Sequence, residues 1–369
     1  MSAKTLARIS IYAGPTGGHL FPAQSFAECL RKKAPNVQLA LVTSRRAKGL
    51  VRNMPDGIFE RICYLPDFGL PHKILSFKTI KSMLLLPFLF GQAFLNLLFF
   101  KPQLCVGFGS FVSYPGMMTA HALKIPTLVH EQNIIPGKAT HWLALNMDVL
   151  AVSFEGTRLP AGVKNIRTIG LPLRTFITNR PILAHKREKR LNILVVGGSQ
   201  GAHGLNEIVV ASFARLSHEE REKIAVTHIT GEIDRDWVSG QYRAINLASE
   251  VHSFFRDMVE LFQKTDLAVT RAGANTLFEL AFYGIPAFVV PFPYAGGHQR
   301  FNAEAFAVTG ALEFHNEEPD AVNWLTAKFR AVLGDENMLK PMANAMKNLA
   351  KPNATEDLVD LALSLMKTQ

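Results

Sequence analysis

The sequence predicts an α/β protein with two domains, each built on a parallel sheet, that face a shared cleft. Two glycine-rich turns support this prediction. Each follows a short apolar strand, at residues 9–12 and 191–196, and each precedes a segment whose apolar residues recur at helical spacing. A strand, a tight turn and a helix N-terminus bring backbone N–H groups and the positive end of a helix dipole to one point. The chain therefore has two candidate phosphate sites.

Composition sets the limits of the interpretation. At 369 residues, with 48% hydrophobic and 19% charged residues, the chain is long enough and apolar enough for two folded domains. The net charge of +10 favours an anionic partner, such as a nucleic acid, a phosphorylated metabolite or an acidic lipid surface. Cys29, Cys63 and Cys105 have no paired spacing, and we expect Cys29 and Cys105 to be buried thiols. No apolar signal segment precedes the first strand, which predicts a cytoplasmic protein.

Strands and helices alternate through both halves of the chain. Short strands rich in Val, Ile and Leu, separated by helices, indicate parallel sheets whose ligands lie beyond the carboxyl ends of the strands. We assign residues 1–173 to the first domain, joined by a C-terminal helix at 352–369, and residues 174–351 to the second. Besides the two strands that precede the glycine turns, the predicted strands are residues 37–42, 104–108, 126–129, 149–152, 166–169, 224–229, 252–255, 266–270 and 286–290.

Residues 83–100 form an unusual stretch of 18 residues without a charge, preceded by Lys73, Lys78 and Lys81. A helix of this length spans about 27 Å, which is just short of a usual membrane crossing. Gln92 and Asn96 interrupt the apolar character on one helical face. A transmembrane helix and an ordinary buried helix are both alternatives. We favour a helix that packs partly against the domain and lies partly on a membrane surface, where each nearby basic residue contributes about 1 kcal/mol.

The glycine spacings exclude some nucleotide sites. Neither turn fits G-x-G-x-x-G, and the P-loop pattern G-x-x-x-x-G-K-[ST] does not occur, so a dinucleotide oxidoreductase and a P-loop nucleotidase are disfavoured. Asp234-Arg235-Asp236 is a D-x-D such as metal-dependent sugar transferases use. It lies in a polar stretch and not after a buried strand, so we interpret it as a solvated turn.

A third cluster, residues 270–279, places a small-residue turn between a strand and a helix. Glu279, in the first turns of that helix, could accept two hydrogen bonds from a ribose diol while N–H groups face a diphosphate. The alternative is that Glu279 only adds a favourable charge at a helix N-terminus. A further polar loop, residues 291–299, follows the next strand.

These stretches together resemble the MurG family of bacterial N-acetylglucosaminyltransferases, which make lipid II of peptidoglycan. The matching residues occur in family order over nearly the whole chain. They are Thr16-Gly17-Gly18-His19-x-x-Pro22, His130-Glu131-Gln132-Asn133 with Gly137, Gly170-x-Pro172-x-Arg174, and residues 195–202, 271–279 and 291–303. The resemblance implies a GT-B fold, with two Rossmann-like domains, and an inverting reaction that needs no catalytic metal or other cofactor.

The resemblance also implies site residues. Glu279 corresponds to the carboxylate that binds ribose, Ser199 to the donor diphosphate site, and Phe255 to a residue that holds uracil through its backbone. His298 and Gln299 would reach the sugar and the diphosphate. The remaining donor contacts implied are Thr16, Gly17, Gly18, Asn133, Arg174, Ala274, Asn275, Thr276, Leu277 and Phe278.

The acceptor's diphosphate would be held by two loops of the first domain. The residues implied are Gly14, Gly17, Gly18, Gly107, Gly109 and Ser110. Ser110 stands where a glycine is usual, so the geometry of this loop departs from the family pattern. Asn275 and the Gly296-Gly297 pair are also unusual beside the donor site.

For catalysis, the acceptor's 4-hydroxyl needs a base and the leaving diphosphate needs charge stabilisation. His19 is the candidate base, because the positive end of a helix dipole disfavours the imidazolium. The alternative is that His19 binds acceptor phosphate or caps the turn.

The function implied is transfer of N-acetylglucosamine from UDP-N-acetylglucosamine to lipid I, at the cytoplasmic face of the bacterial inner membrane. Its partners would be both substrates, an anionic membrane surface and other cell-wall synthesis proteins, with no nucleic acid. Two alternatives are a UDP-N-acetylglucosamine 2-epimerase, which needs no lipid acceptor, and a non-catalytic membrane-attached subunit that binds a UDP-sugar.

Overall fold

The computed structural model describes residues 7–66, 77–183, 189–198, 201–293 and 297–367, with only the backbone at 77–84 and 367. The chain divides into two compact units. The first comprises Met1–Thr175 and Asn353–Gln369, and the second comprises Phe176–Pro352. Each unit contains one parallel sheet with helices around it, which confirms the predicted α/β class.

The described strands of the first unit form a seven-stranded sheet in which every pairing is parallel. They are β1 (Arg8–Tyr12), β2 (Gln38–Ser44), β3 (Arg61–Leu65), β4 (Leu104–Gly107), β5 (Thr127–Glu131), β6 (Val149–Val152) and β7 (Ile166–Thr168). The spatial order is β3-β2-β1-β4-β5-β6-β7, so the direction of winding reverses between β1 and β4. In such sheets ligands bind beyond the carboxyl ends of the strands at this reversal.

Helices cover both faces of the sheet. Successive side chains of β1 point to opposite faces, so this strand contributes to two cores. Ile9 and Ile11 pack in one core with Phe26, whereas Tyr12 packs in the other with Leu97. The C-terminal helix joins the first core through Leu358. The helices of this unit are α1 (Gly17–Lys33), α2 (Lys48–Arg52), α3 (Phe77–Phe100), α4 (Ser113–Ala122), α5 (Lys138–Leu143) and α15 (Ala354–Lys367).

The described strands of the second unit form a six-stranded parallel sheet. They are β8 (Leu191–Val196), β9 (Ile224–Ile229), β10 (Ser249–His252), β11 (Leu267–Thr270), β12 (Ala287–Val289) and β13 (Leu312–Phe314). The order β10-β9-β8-β11-β12-β13 again reverses beside the first strand, between β8 and β11. A short helix, α6 (Thr175–Thr178), leads into this unit. Its other helices are α7 (His203–Ala214), α8 (His218–Glu222), α9 (Arg235–Ala244), α10 (Met258–Lys264), α11 (Ala274–Tyr283), α12 (His298–Ala307), α13 (Ala321–Gly334) and α14 (Leu339–Asn348).

The strand prediction was wrong for the edge strands β3, β10 and β13, whereas the edge strand β7 lies where it was predicted. The strand predicted at residues 252–255 is found at residues 249–252, because β9, its neighbour in the described sheet, ends at Ile229 opposite His252. Strands β3 and β13 were not predicted. Both are short edge strands, and in β3 Arg61 and Ile62 are exposed, so the apolar run that marks a central strand is missing.

Helix α3 has one buried face and one exposed face. Leu89, Ala93 and Leu97 are buried, at helical spacing. Gln92 and Asn96 turn their side chains toward the sheet, where their nitrogens lie 3.8 and 3.5 Å from the sulfur of Cys63 on β3. In the described part of the chain, no helix combines the length and the apolar composition needed to cross a membrane.

The three cysteines are free thiols. Cys105 is buried as predicted, because it lies inside the central strand β4. Cys29 is only half-buried, since it lies at the border of α1 with α15. Cys63 is half-buried as well.

Candidate active site

The first glycine turn joins β1 to α1 at the reversal of the first sheet. Thr16 is the N-cap of α1 in extended conformation, and the helix begins at Gly17 with His19 in its first turn. Thr16 and Gly18 are exposed whereas Gly17 is buried. The prediction of a glycine turn that opens a helix is therefore correct for this region.

The loop after β4 lies against this turn and encloses His19. A Cβ atom added to Gly14 would lie 2.3 Å from Ser110 Cβ and 2.8 Å from His19 Cδ2, and one added to Gly109 would lie 3.2 Å from His19 Nδ1. Side chains at positions 14 and 109 would therefore displace the imidazole or the loop. Gly107 is confined as well, though less tightly than Gly14, because its Cβ would lie 3.2 Å from Met117 Cγ.

Ser110 adopts a left-handed backbone conformation with φ of 67°, next to Gly109 at φ of 82°. A residue with a Cβ atom is strained by about 1–2 kcal/mol in this region. Ser113 helps to hold the loop, because its Oγ donates to the carbonyl oxygens of Gly109 at 2.6 Å and Tyr12 at 3.2 Å. The structure thus gives a physical reason for a glycine at position 110 in the family pattern.

The tautomer of His19 follows from its neighbours. Nδ1 lies 2.7 Å from the carbonyl oxygen of Phe108 and 3.3 Å from Oε1 of Gln132. Because both partners are acceptors, Nδ1 carries the hydrogen, and Nε2 of the neutral ring is the basic nitrogen. The ring is half-exposed.

Asn133 is positioned by the buried carboxylate of Glu131 at the end of β5. Its backbone N–H and side-chain nitrogen donate to Glu131 Oε1 at 3.0 and 3.2 Å, and the N–H of Gly137 donates to Oε2 at 3.2 Å. Arg174, at the end of the first unit, places its guanidinium 5.3 Å from the ring of Phe21 on α1.

The second glycine turn joins β8 to α7 at the reversal of the second sheet. Gly201 has φ of 77°, and an added Cβ would lie 2.6 Å from the carbonyl oxygen of Thr230; at Gly197 it would lie 2.4 Å from Ala202 Cβ. The turn is therefore tight on two sides. Ser199, the predicted diphosphate ligand, lies outside the described residues.

The predicted nucleotide cluster forms the turn between β11 and α11. Gly273 is the N-cap of α11, and Glu279 lies in the second turn with 5% exposure. Asn275 and Thr276 are half-exposed, whereas Ala274, Leu277 and Phe278 are buried. Phe255, the predicted uracil contact, lies in the loop after β10, half-buried, with its ring centroid 5.0 Å from that of His252.

Gln299 ties two loops of this unit together. Its Oε1 accepts hydrogen bonds from the N–H groups of Ala272 and Phe292, each at 3.0 Å, and Asn302 Nδ2 donates to the carbonyl oxygen of Ala272 at 3.2 Å. His298, the first residue of α12, is half-exposed. Gly296 lies outside the described residues.

The structure brings forward Arg271, a residue for which the sequence indicated no role. Its guanidinium is 5% exposed, donates to the carbonyl oxygen of Val290 at 3.0 Å, and lies 2.6 Å from Glu317 Oε2. Arg271 thus joins the end of β12 to the loop before α13. Its position directly after strand β11 could have indicated a site residue. Its ion pair could not be predicted, because Glu317 lies 46 positions away in the sequence.

The interpretation of residues 234–236 as a solvated turn was wrong for Asp234. This carboxylate is buried, and it accepts hydrogen bonds from Asn206 Nδ2 at 2.7 Å and His203 Nδ1 at 2.9 Å, which compensate for its burial. The bond to Asp234 raises the pKa of His203. Asp236 is exposed as expected. Among the described residues, no group of three or more His, Cys, Asp or Glu side chains is arranged to hold a metal ion.

Comparisons with known proteins agree with the two-unit architecture. The N-terminal domain of glycosyltransferase family 28 matches residues 9–150, and the C-terminal domain of the same family matches residues 192–358. The crystal structure of Acinetobacter baumannii MurG superposes with a TM-score of 0.75 at 28% identity, covering 97% of this chain and 99% of that one. A putative UDP-N-acetylglucosamine 2-epimerase from Listeria monocytogenes superposes at 0.69 but with only 13% identity, which is a likeness of fold alone.

The two parallel sheets, together with matches to both domains of family 28, assign the chain to the class of two-domain nucleotide-sugar glycosyltransferases. Two relatives, from Anaeromyxobacter sp. and Coxiella burnetii, carry the name UDP-N-acetylglucosamine–N-acetylmuramyl-(pentapeptide) pyrophosphoryl-undecaprenol N-acetylglucosamine transferase. They are each 34% identical, over 98% and 95% of this chain and 94% and 97% of their own lengths. The chain belongs to glycosyltransferase family 28, within the MurG family, as the sequence motifs predicted.

Proposed function

We propose that this protein transfers N-acetylglucosamine from UDP-N-acetylglucosamine to the 4-hydroxyl of the muramoyl sugar of undecaprenyl-diphospho-muramoylpentapeptide, and so makes lipid II for peptidoglycan. The observation that carries this proposal is the similarity to transferases of that name across both units. The epimerase alternative has only a likeness of fold in its favour. A non-catalytic subunit would not need the ordered imidazole of His19.

In this proposal the first unit binds the acceptor and His19 is the general base. Nε2 takes the proton of the 4-hydroxyl as its oxygen attacks the anomeric carbon, and Nδ1–H remains bonded to the carbonyl oxygen of Phe108. The bond between the anomeric carbon and the UDP oxygen breaks, which inverts the configuration. The loops that carry Gly14, Gly109 and Ser110 would hold the acceptor's diphosphate beside this ring.

The second unit binds the donor. Glu279 would accept hydrogen bonds from the ribose diol, and the turn at Gly197 and Gly201 would direct N–H groups at the leaving diphosphate. Neutralisation by backbone N–H groups and Ser199 is proposed in place of a metal ion. Gln299 supports this arrangement, because it holds the backbone of Ala272 and Phe292 in register.

The exposed face of α3 would bring the enzyme to its lipid acceptor as a peripheral protein of the cytoplasmic membrane face. Large side chains on this face are 44–70% exposed: Phe88, Phe94, Leu95, Leu98 and Phe99. An apolar surface of this kind, together with a net charge of +10, favours adsorption to anionic lipid. Contacts with other cell-wall synthesis proteins would occur at the same membrane.

The deciding experiment incubates the protein with radiolabelled UDP-N-acetylglucosamine and a short-chain lipid I analogue, with and without EDTA. We expect radiolabel in the lipid II analogue at equal rates in both arms. Conversion of the UDP-sugar to its 2-epimer without transfer would overturn the function, and loss of transfer in EDTA would overturn the metal-free mechanism.

A further inference from the structure

The side chain that contacts Nδ1 of His19 is an amide, that of Gln132, and not a carboxylate. Glu131 is the buried carboxylate nearest in sequence to Gln132, but both of its oxygens accept hydrogen bonds from the loop at residues 133–137. The side chain that reaches His19 is that of Gln132, which is 2% exposed. The direction of its amide group therefore matters for the tautomer of the base.

A buried histidine determines that direction. His130 is fully buried, and its Nε2 lies 3.0 Å from the carbonyl oxygen of Gly170, to which it must donate. Burial lowers the pKa of His130 to about 4, so the ring is neutral at physiological pH. Its Nδ1 is therefore an acceptor, and it lies 3.2 Å from Nε2 of Gln132.

The remaining contacts of Gln132 agree with this assignment. Its Nε2 also lies 3.2 Å from the carbonyl oxygens of Phe108 and of His130, so it is surrounded by acceptors. Oε1 must then face His19, where it accepts from Nδ1. The hydrogen bonds run in one direction, from His19 through Gln132 and His130 to the carbonyl oxygen of Gly170.

We infer that Gln132 is a positioning residue for His19, oriented by His130, and that it keeps the base in the tautomer with a basic Nε2. This inference rests on the proposed function of His19. Gln132 has two contacts that hold the ring. Its Oε1 accepts from Nδ1–H of His19, and its Nε2 donates to the carbonyl oxygen of Phe108, which is the other acceptor of Nδ1–H. It does not touch a substrate in this role.

The test uses three variants of the full chain in the radiolabel assay. Gln132→Leu removes both contacts, so we expect kcat to fall about 10-fold while KM for the donor stays unchanged. The pH below which kcat declines (the acid limb of the rate profile) should also move lower, because the imidazolium form of His19 loses a hydrogen-bond acceptor. Gln132→Glu keeps an acceptor oxygen for Nδ1–H but, when ionised, loses the donation to the Phe108 carbonyl, so kcat should recover only in part, with the limb at or above the wild-type pH. Asn206→Leu, a buried amide of the second unit, should lower stability and leave the limb unchanged.

A second readout needs no activity. Nitrogen-15 spectra of histidine-labelled protein, assigned with the His19→Ala variant, should show His19 protonated at Nδ1. Protonation at Nε2, or a Gln132→Leu variant with wild-type kcat and acid limb, would overturn the inference. If the wild type does not transfer the sugar, the proposed function fails, whereas the spectra still decide the tautomer.

Discussion

His19 depends on two acceptors that come from distant parts of the chain. Phe108 and Gln132 lie 89 and 113 positions away in the sequence, yet both reach the same nitrogen. The motif around Thr16 was visible as a glycine turn, and so the candidate base could be named. Its tautomer could not, because that depends on strands that are adjacent only in the folded sheet.

We expect His19→Ala to lower kcat by about 100-fold or more, because a general base contributes 10²–10⁴-fold. Binding of UDP-N-acetylglucosamine, measured by calorimetry, should persist. His121→Ala, which removes an exposed histidine of α4 in the same unit, should leave turnover unchanged. Near-normal turnover of His19→Ala would exclude it as the base.

Ser110 offers a test of backbone strain. Ser110→Gly should raise the free energy of unfolding by about 0.5–1 kcal/mol, since relief of the left-handed strain exceeds the extra entropy of the unfolded glycine. Lys124 has φ of 57° and is exposed, so Lys124→Gly is the matched control and should give a similar gain. Urea unfolding measures both. A loss of stability in Ser110→Gly alone would mean that the serine side chain, packed against Gly14, outweighs the strain.

At the scale of elements, α7 begins against the ion pair between the buried Arg271 and the partly exposed Glu317. An added Cβ on Gly204 would lie 2.0 Å from Glu317 Oε1, and Glu317 pairs with the buried Arg271. Gly204→Ala should therefore destabilise the protein by about 1–2 kcal/mol, because Glu317 must move away from the buried Arg271, which keeps only its carbonyl acceptors.

Gly240→Ala is the control for this prediction. Gly240 lies inside α9 with nothing within 4 Å of an added Cβ, so alanine should stabilise the protein by about 0.5–1 kcal/mol. Urea unfolding of both variants should give changes of opposite sign. Equal effects would show that Glu317 yields without cost.

The exposed face of α3 predicts membrane adsorption that individual side chains control. The triple change Phe88→Ser, Leu95→Ser and Phe99→Ser should reduce binding to phosphatidylglycerol vesicles by about 10-fold or more, at about 1 kcal/mol for each partly inserted side chain. The control changes Ile233→Ser and Val308→Ser, which remove side chains of the second unit that are 95% and 84% exposed. Equal losses of vesicle sedimentation in both proteins would contradict a binding face on α3.

Element prediction succeeded where the signal is local. The internal strands β4 and β6 are continuous apolar runs, β8 is apolar except for Asn192, and the helices after the two turns show helical spacing. The edge strand β10 was misplaced by three residues, because its extent is set by pairing with β9 and not by its own composition.

At the scale of the molecule, two buried histidines make stability depend on pH. Burial lowers the pKa of His130 to about 4 and that of His228 to about 3, against about 6.5 in an unfolded chain. Below pH 6.5 the unfolded chain binds protons at these two histidines and the folded protein does not. The free energy of unfolding is therefore fully retained above pH 6.5 and decreases as the pH falls below it. For each histidine, the free energy of unfolding should be about 2 kcal/mol lower at pH 5 than at pH 7.

Urea unfolding of wild type and His228→Phe at pH 7 and pH 5 measures this effect. His228→Phe loses the bonds to Tyr242 and Asn206 and starts less stable, but its stability should fall less between the two pH values. The pH-dependent difference, and not the absolute stability, is the readout. The same fall in both proteins would mean that His228 is protonated in the native state.

The sequence alone determined the α/β class, the two glycine turns, the family and the candidate base, because spacing and turn chemistry are properties of neighbouring residues. Only the tertiary structure decided that both sheets reverse beside the strand that precedes a glycine turn. It also decided that Asp234 is buried and that Gln132 points its oxygen at His19. These features arise from contacts between residues far apart in the chain, whose proximity is set by strand order and packing.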